Sequence, residues 1–132
     1  MEEWWDESFK EQIDQNAYNT APVEALVRFT SHFLRARFES PEQIKQLKFL
    51  EIGCGSGANL IWLAEKGIQP NGIDISQKAL GLCKYQFQKK QVYLMHLLAF
   101  LSQFPHLFFL WQNQKVHKDF LIAMVYHFQS YI

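Results

Sequence analysis

Phe49-Leu50-Glu51-Ile52-Gly53-Cys54-Gly55-Ser56-Gly57, answered by Gly72-Ile73-Asp74-Ile75-Ser76, is the stretch whose reading decides the fold. Gln46 to Ile52 is short, largely apolar and stopped by glycine, as a buried parallel strand should be. Glycines at 53, 55 and 57 permit positive φ, and their missing side chains let a ligand lie against the main chain. From Ala58 to Lys66 the residues Leu60, Ile61, Leu63 and Ala64 recur at helical spacing, and Gly67 stands where a C-cap glycine belongs. Unpaired amides at such a helix start favour anionic ligand atoms.

Asn71 to Ile75 reads as the next strand, with Asp74 at its carboxyl end beside the glycine loop. A carboxylate there can accept from both hydroxyls of a ribose, and a hydrogen bond to a charged group contributes roughly 1.5 to 3 kcal/mol. Ser76 suits the N-cap of a helix carrying Ala79, Leu80, Leu82, Cys83 and Phe87. The order is strand, helix, strand, helix.

An acidic residue two positions before the first glycine, three alternate glycines, and an Asp seventeen residues after the last together resemble the class I methyltransferases that use S-adenosylmethionine. The resemblance implies an α/β, Rossmann-like sheet with N-terminal helices, and S-adenosylmethionine as cofactor. It places Glu51, Gly53, Cys54, Gly55, Gly57, Asp74 and Ile75 at the cofactor. In such enzymes the residue matching Glu51 orients the loop near the methionine end. Gly53-Cys54-Gly55-Ser56-Gly57-Ala58 also satisfies G-x-G-x-x-A, the dinucleotide fingerprint, so an NAD-binding module is the rival reading. Glu51 at the strand end and the glycine at 57 favour the methyltransferase.

Residues 1–45 read as a helical lid segment before the cofactor-binding core of 46–90. Glu2 to Gln15 carries Trp4, Trp5, Phe9 and Ile13 among acids, the pattern of an amphipathic helix, and Asn16 to Ala21 reads as a loop. Pro22 suits a helix N1 position, with Val23, Leu26, Val27, Phe29, Phe33 and Leu34 as the apolar face up to about Phe38. Ser40-Pro41-Glu42-Gln43 opens a further turn or short helix. The Trp-Asp start and the Asn-x-Ala-Pro-like stretch resemble the lid of small methyltransferases, which implies that Trp5, Tyr18 and Asn19 approach the methionine end or the acceptor.

Residues 91–132 form an apolar tail of the same domain. Gln91 to Gln114 contains no Asp, Glu, Lys or Arg, so no active-site carboxylate lies there. Val92 to His96 is the expected third strand and Leu107 to Trp111 the expected fourth. Where the family places acids after its third strand and in its fourth, this chain has Leu98, Ala99 and Leu110. By motif the resemblance covers residues 1 to 90. The abrupt loss of acids suits a truncated or frame-shifted gene product, or a tail that completes its core by forming a homodimer.

The 132 residues carry zero formal net charge, so no global field recruits nucleic acid. Residues 1 to 20 nevertheless hold six acids against Lys10, whereas residues 83 to 132 hold five lysines and one acid, Asp119. Two cysteines and no signal peptide suit a cytoplasmic domain rather than a disulfide-built secreted one. Val92 to Trp111 is long enough to span a bilayer, but His96, Ser102, Gln103, Pro105 and His106 interrupt it, so no span is expected. The histidines at 96, 106, 117 and 127 lack helical pair spacing, and no metal site is expected. Cys54 has no base to activate it and Cys83 lies on an apolar helix face, so both read as packing residues. The reaction implied by the resemblance is methyl transfer to a small-molecule acceptor, with no catalytic base that can be named.

Overall fold

The computed structural model describes residues 2–92, 96–99 and 120–123. Three helices, α1 (Glu2–Asp14), α2 (Glu24–Arg37) and α3 (Pro41–Ile44), precede β1 (Lys48–Ile52). Then follow α4 (Ala58–Glu65), β2 (Gln69–Asp74), α5 (Gln77–Lys90), β3 (His96–Ala99) and β4 (Phe120–Ala123). The strands form one sheet in the order β3-β2-β1-β4, with every pairing parallel. Parallel neighbours require crossovers, which α4 and α5 supply.

The two expected strands are present with shifted bounds. Gln46 and Leu47 belong to a turn, their amides bonded to Gln43 and Ile44, so β1 starts at Lys48. The second strand opens two residues early, at Gln69, and closes at Asp74. Burial alternates along both. Phe49 and Glu51 of β1, with Pro70, Gly72 and Asp74 of β2, are buried, whereas Leu50, Ile52, Asn71 and Ile73 are only partly so. β1 is therefore not the uniformly buried strand its composition suggests. α4 covers the buried face, where a Cβ on Gly72 would lie 2.6 Å from Leu60 Cδ1. Phe49, Leu60, Leu63, Ile68, Cys83 and Phe87 fill the core beneath.

Further differences concern the flanks. Pro22 is not at N1: α2 starts at Glu24 with Val23 as N-cap, so Pro22 precedes the helix. The helix buries Leu26, Thr30 and Leu34, while Phe29 is 60% exposed and stacks on Phe33 instead of joining the core. The third strand begins where the expected one ends, at His96, and aligns His96 with Asn71 and Ala99 with Asp74. Leu107 to Trp111 lies outside the described residues. The strand that flanks β1 is Phe120–Ala123, which aligns Phe120 with Lys48 and Ala123 with Glu51. Among the described residues no helix is long and apolar enough to cross a membrane.

Candidate functional site

Register brings the two acids together. Glu51 aligns with Gly72, and Asp74 lies two residues further along β2, so both carboxylates project from the same face at the carboxyl end of adjacent strands. The chain then turns sharply. Amides of Gly53 and Cys54 both donate to the Ile73 carbonyl, at 2.7 and 3.1 Å, and the Gly57 amide donates to Cys54 at 2.9 Å. Gly57 caps α4 with φ at 81°, where an added Cβ would collide with Cys83 Sγ. Only glycine satisfies both the dihedral and the contact.

Asp74 holds this turn in place. Its Oδ2 accepts from the Gly55 amide at 2.7 Å and its Oδ1 from the Ser76 amide at 2.9 Å. One carboxylate thus fixes the glycine loop and the start of α5. Ser76 completes the cap by accepting from Ala79 at 3.0 Å. The side-chain bond to a loop amide comes from Asp74, whereas Glu51 bonds to Asn59.

Glu51 is differently engaged. It is 1% exposed, its Oε1 accepts from Asn59 Nδ2 at 2.7 Å, and its Oε2 is buried with no hydrogen-bond partner among the described residues. Burial pushes its carboxyl up to about 7, opposed by the Asn59 bond and reinforced by the charge of Asp74. Buried carboxylate oxygens are normally paired, so Oε2 retains its capacity to accept a hydrogen bond.

Cys54 is buried, and hydrogen bonding with Cys83, followed by burial, pushes its thiol far up, so it packs and does not attack. Gly53 is exposed at the crest of the loop, and Ile75 is half-buried immediately after Asp74. Among the lid residues, Asn19 reaches the loop through its carbonyl, which accepts from Ser56 Oγ at 2.8 Å and from Gln86 Nε2 at 3.5 Å. Trp5 is half-buried against Phe9, their rings 6.4 Å apart, and Tyr18 is half-buried at the start of the same segment.

The residue of α1 that meets the loop is Phe9, whose Cζ lies 3.3 Å from where a Gly55 Cβ would be. Four residues after Trp5, it shares that residue's helix face, and this spacing is the signal that could have found it. Asp6 anchors α1 to α5 by accepting from Ser76 Oγ and from the Lys78 amide at 3.1 Å. Those bonds, the Ser76 one foremost, hold its carboxyl below the ordinary value. Asn59 and Gln86 were also missed. Each is a polar side chain buried on a helix, and Asn59 stands out as the one amide in the otherwise apolar run from Ala58 to Ala64.

The sequence matches the family model described as a methyltransferase domain over residues 49–127, so the match continues past Lys90, where the motifs alone stop. A ubiquinone biosynthesis O-methyltransferase from Pelagibacter ubique (strain HTCC1062) is 28% identical over 101 residues, covering 74% of this chain and 40% of that protein. Magnesium protoporphyrin IX methyltransferase from Synechocystis PCC 6803 shares the fold. With S-adenosylhomocysteine bound, its structure gives a TM-score of 0.53 at 18% identity, over 74% of this chain and 48% of that one. With S-adenosylmethionine bound the values are 0.52 and 19%, over 74% and 50%. The chain thus spans about half or less of the length of these relatives. On the strength of the family match across most of its length, and of a parallel sheet ordered β3-β2-β1-β4, the chain belongs to the methyltransferase domain family, the class I S-adenosylmethionine-dependent methyltransferases.

Proposed function

We propose that the chain binds S-adenosylmethionine through Glu51, the Gly53 to Gly57 loop, Asp74 and Ile75, and serves the transfer of its methyl group to a small-molecule nucleophile. The observation that carries this reading is the buried pair of carboxylates at the ends of β1 and β2, one fixing the glycine loop and the other with an unpartnered oxygen. Each Asp74 oxygen accepts one amide and retains a second lone pair, so the same group can accept from the two ribose hydroxyls. Glu51 Oε2 suits the ammonium of the methionine moiety, where a cation offsets the cost of the buried charge. Residues 1–45 act as the lid, with Phe9 over Gly55 and Trp5, Tyr18 and Asn19 bordering the methionine end.

Held by Glu51, the Gly53 to Gly57 loop and Asp74, S-adenosylmethionine would supply a sulfonium-activated methyl group for an acceptor with a free lone pair. The chain's own residues hold the donor, cover it and exclude water, and proximity of this kind is worth up to about 7 to 11 kcal/mol. A small acceptor is supported by the neutral net charge and by relatives named for ubiquinone biosynthesis and magnesium protoporphyrin IX. A cytoplasmic location, and pairing of two copies through segment 91–132, belong to the same proposal; sedimentation equilibrium tests the pairing.

Calorimetry with S-adenosylmethionine and S-adenosylhomocysteine, comparing wild type with Asp74→Ala, tests the cofactor assignment. Binding that weakens sharply in the variant supports it. Absence of heat from both proteins refutes it in favour of a non-catalytic module, and heat from NAD in its place overturns the choice of nucleoside.

A further inference from the structure

The polar contacts of Asn59 form a relay between the N-terminal segment and the cofactor face. Asn59 is 4% exposed on the first turn of α4. Its Oδ1 accepts from the Val23 amide at 2.8 Å, and its Nδ2 donates to Glu51 Oε1 at 2.7 Å. The Val23 N–H can only donate, so the Asn59 carbonyl must face it and the NH2 must face Glu51. That arrangement offers Glu51 a donor, which suits the ionised carboxylate, and it occupies Oε1 while Oε2 stays open. The segment carrying Val23 is fastened a second time where the Asn19 carbonyl accepts from Ser56 and Gln86. If Val23 withdraws, the hydrogen bond that fixes the Asn59 carbonyl among the described residues is lost. The side-chain amide is then free to turn and present its oxygen to Glu51, an arrangement that suits the protonated acid.

We propose that Asn59 is a positioning residue through which docking of the Asn19–Val23 segment biases the form in which Glu51 meets a cationic ligand, towards the carboxylate when the segment is docked and towards the neutral acid when it is released. The link to a ligand rests on the proposed function, whereas the link between Val23 and Glu51 does not. Among the described residues the titratable groups that act on Glu51 or feel its charge are Asp74 on β2 and the Cys54 thiol in the loop. Neither is hydrogen-bonded to Val23, whose amide bonds to Asn59.

Val23 allows the relay to be cut without substituting Asn59. Its φ of −66° is the value a proline ring imposes, so Val23→Pro removes the N–H at a compatible dihedral and sets its ring Cδ against the Asn59 carbonyl, displacing it. Val23→Ala keeps the N–H and loses comparable side-chain packing, which makes it the control. The first readout is the titration of Glu51 in the ligand-free chain, followed by carbon-13 carboxyl resonances assigned with Glu51→Gln. The Glu51 midpoint is expected to rise by about half to one pH unit in Val23→Pro and in Asn59→Ala, to move no further in the double variant, and to stay put in Val23→Ala.

The second readout is S-adenosylhomocysteine affinity against pH. Val23→Pro should bind roughly three- to tenfold more weakly below the midpoint, and the deficit should vanish well above it. A purely structural loss would be the same at every pH. An unmoved midpoint in Val23→Pro, or a pH-independent deficit, overturns the relay. Shifted midpoints in a chain whose wild type does not bind S-adenosylhomocysteine uphold the relay and sink the cofactor assignment instead.

Discussion

Asp74 and Gly55 are joined by a 2.7 Å bond from the loop amide to the carboxylate, so the group at the end of β2 builds the turn it is proposed to serve. Since its other oxygen accepts from the Ser76 amide, both positions of the carboxyl face N–H donors. An asparagine would turn its NH2 toward one of them. Asp74→Asn is therefore expected to destabilise the fold about as much as Asp74→Ala, by about 1 to 3 kcal/mol in urea titration. Both should weaken S-adenosylhomocysteine roughly ten- to a hundredfold or more in calorimetry. An asparagine variant that binds and folds like wild type would contradict this geometry.

Glu51 gives a pH dependence of definite sign. Its folded midpoint of about 7 lies above the ordinary 4.5, so the native chain holds the extra proton between those values and stability falls as pH rises through them. Glu51→Gln should remove this slope and make the ligand-free chain more stable above pH 8, by about 3 kcal/mol at most given roughly 1.36 kcal/mol per unit. Denaturant midpoints at pH 5 and pH 8 check it. Cofactor affinity should run the opposite way in the wild type, rising up to tenfold per unit toward pH 7 and then levelling, with a proton released on binding.

Gly57→Ala meets two obstacles, a φ of 81° and the Cys83 sulfur. A loss of roughly 2 kcal/mol or more is expected in thermal or urea unfolding. Adding Cys83→Ala should restore only part of it, because the left-handed dihedral and the Cys83 Cβ at 3.2 Å remain. Full recovery in the double variant would show that the dihedral carries no strain.

Asp6 is the clasp of α1. Its lowered carboxyl favours the docked helix above the ordinary value of 3.8, and this contribution is lost as pH falls through the lower folded value. Asp6→Asn or Ser76→Ala should free Phe9 from Gly55 and speed hydrogen exchange in Glu2–Asp14 without unfolding the sheet. Unchanged exchange in α1 would remove the clasp.

The glycine spacing, Glu51 and Asp74 were legible in the sequence because backbone permissiveness and strand-end carboxylates are local properties of residue type. The Ser76 cap was legible for the same reason. What stayed hidden depends on which distant group lies opposite. Asn59 shows its isolation among apolar neighbours, but not that one end meets Val23 and the other Glu51. Periodicity put Phe29 on the apolar face of α2, yet that face turns Thr30 inward and Phe29 outward. The fourth strand escaped because its parallel partner is β1, a pairing that no local pattern in an apolar tail can specify.

The position of β1 between β2 and β4 bears on how the chain is made. Its neighbours are drawn from residues 69–74 and 120–123, so the strand leading into the glycine turn acquires both flanks only after residue 123 has left the ribosome. Until then one edge of that strand stands open in the nascent chain, at the stage when a chaperone would find it.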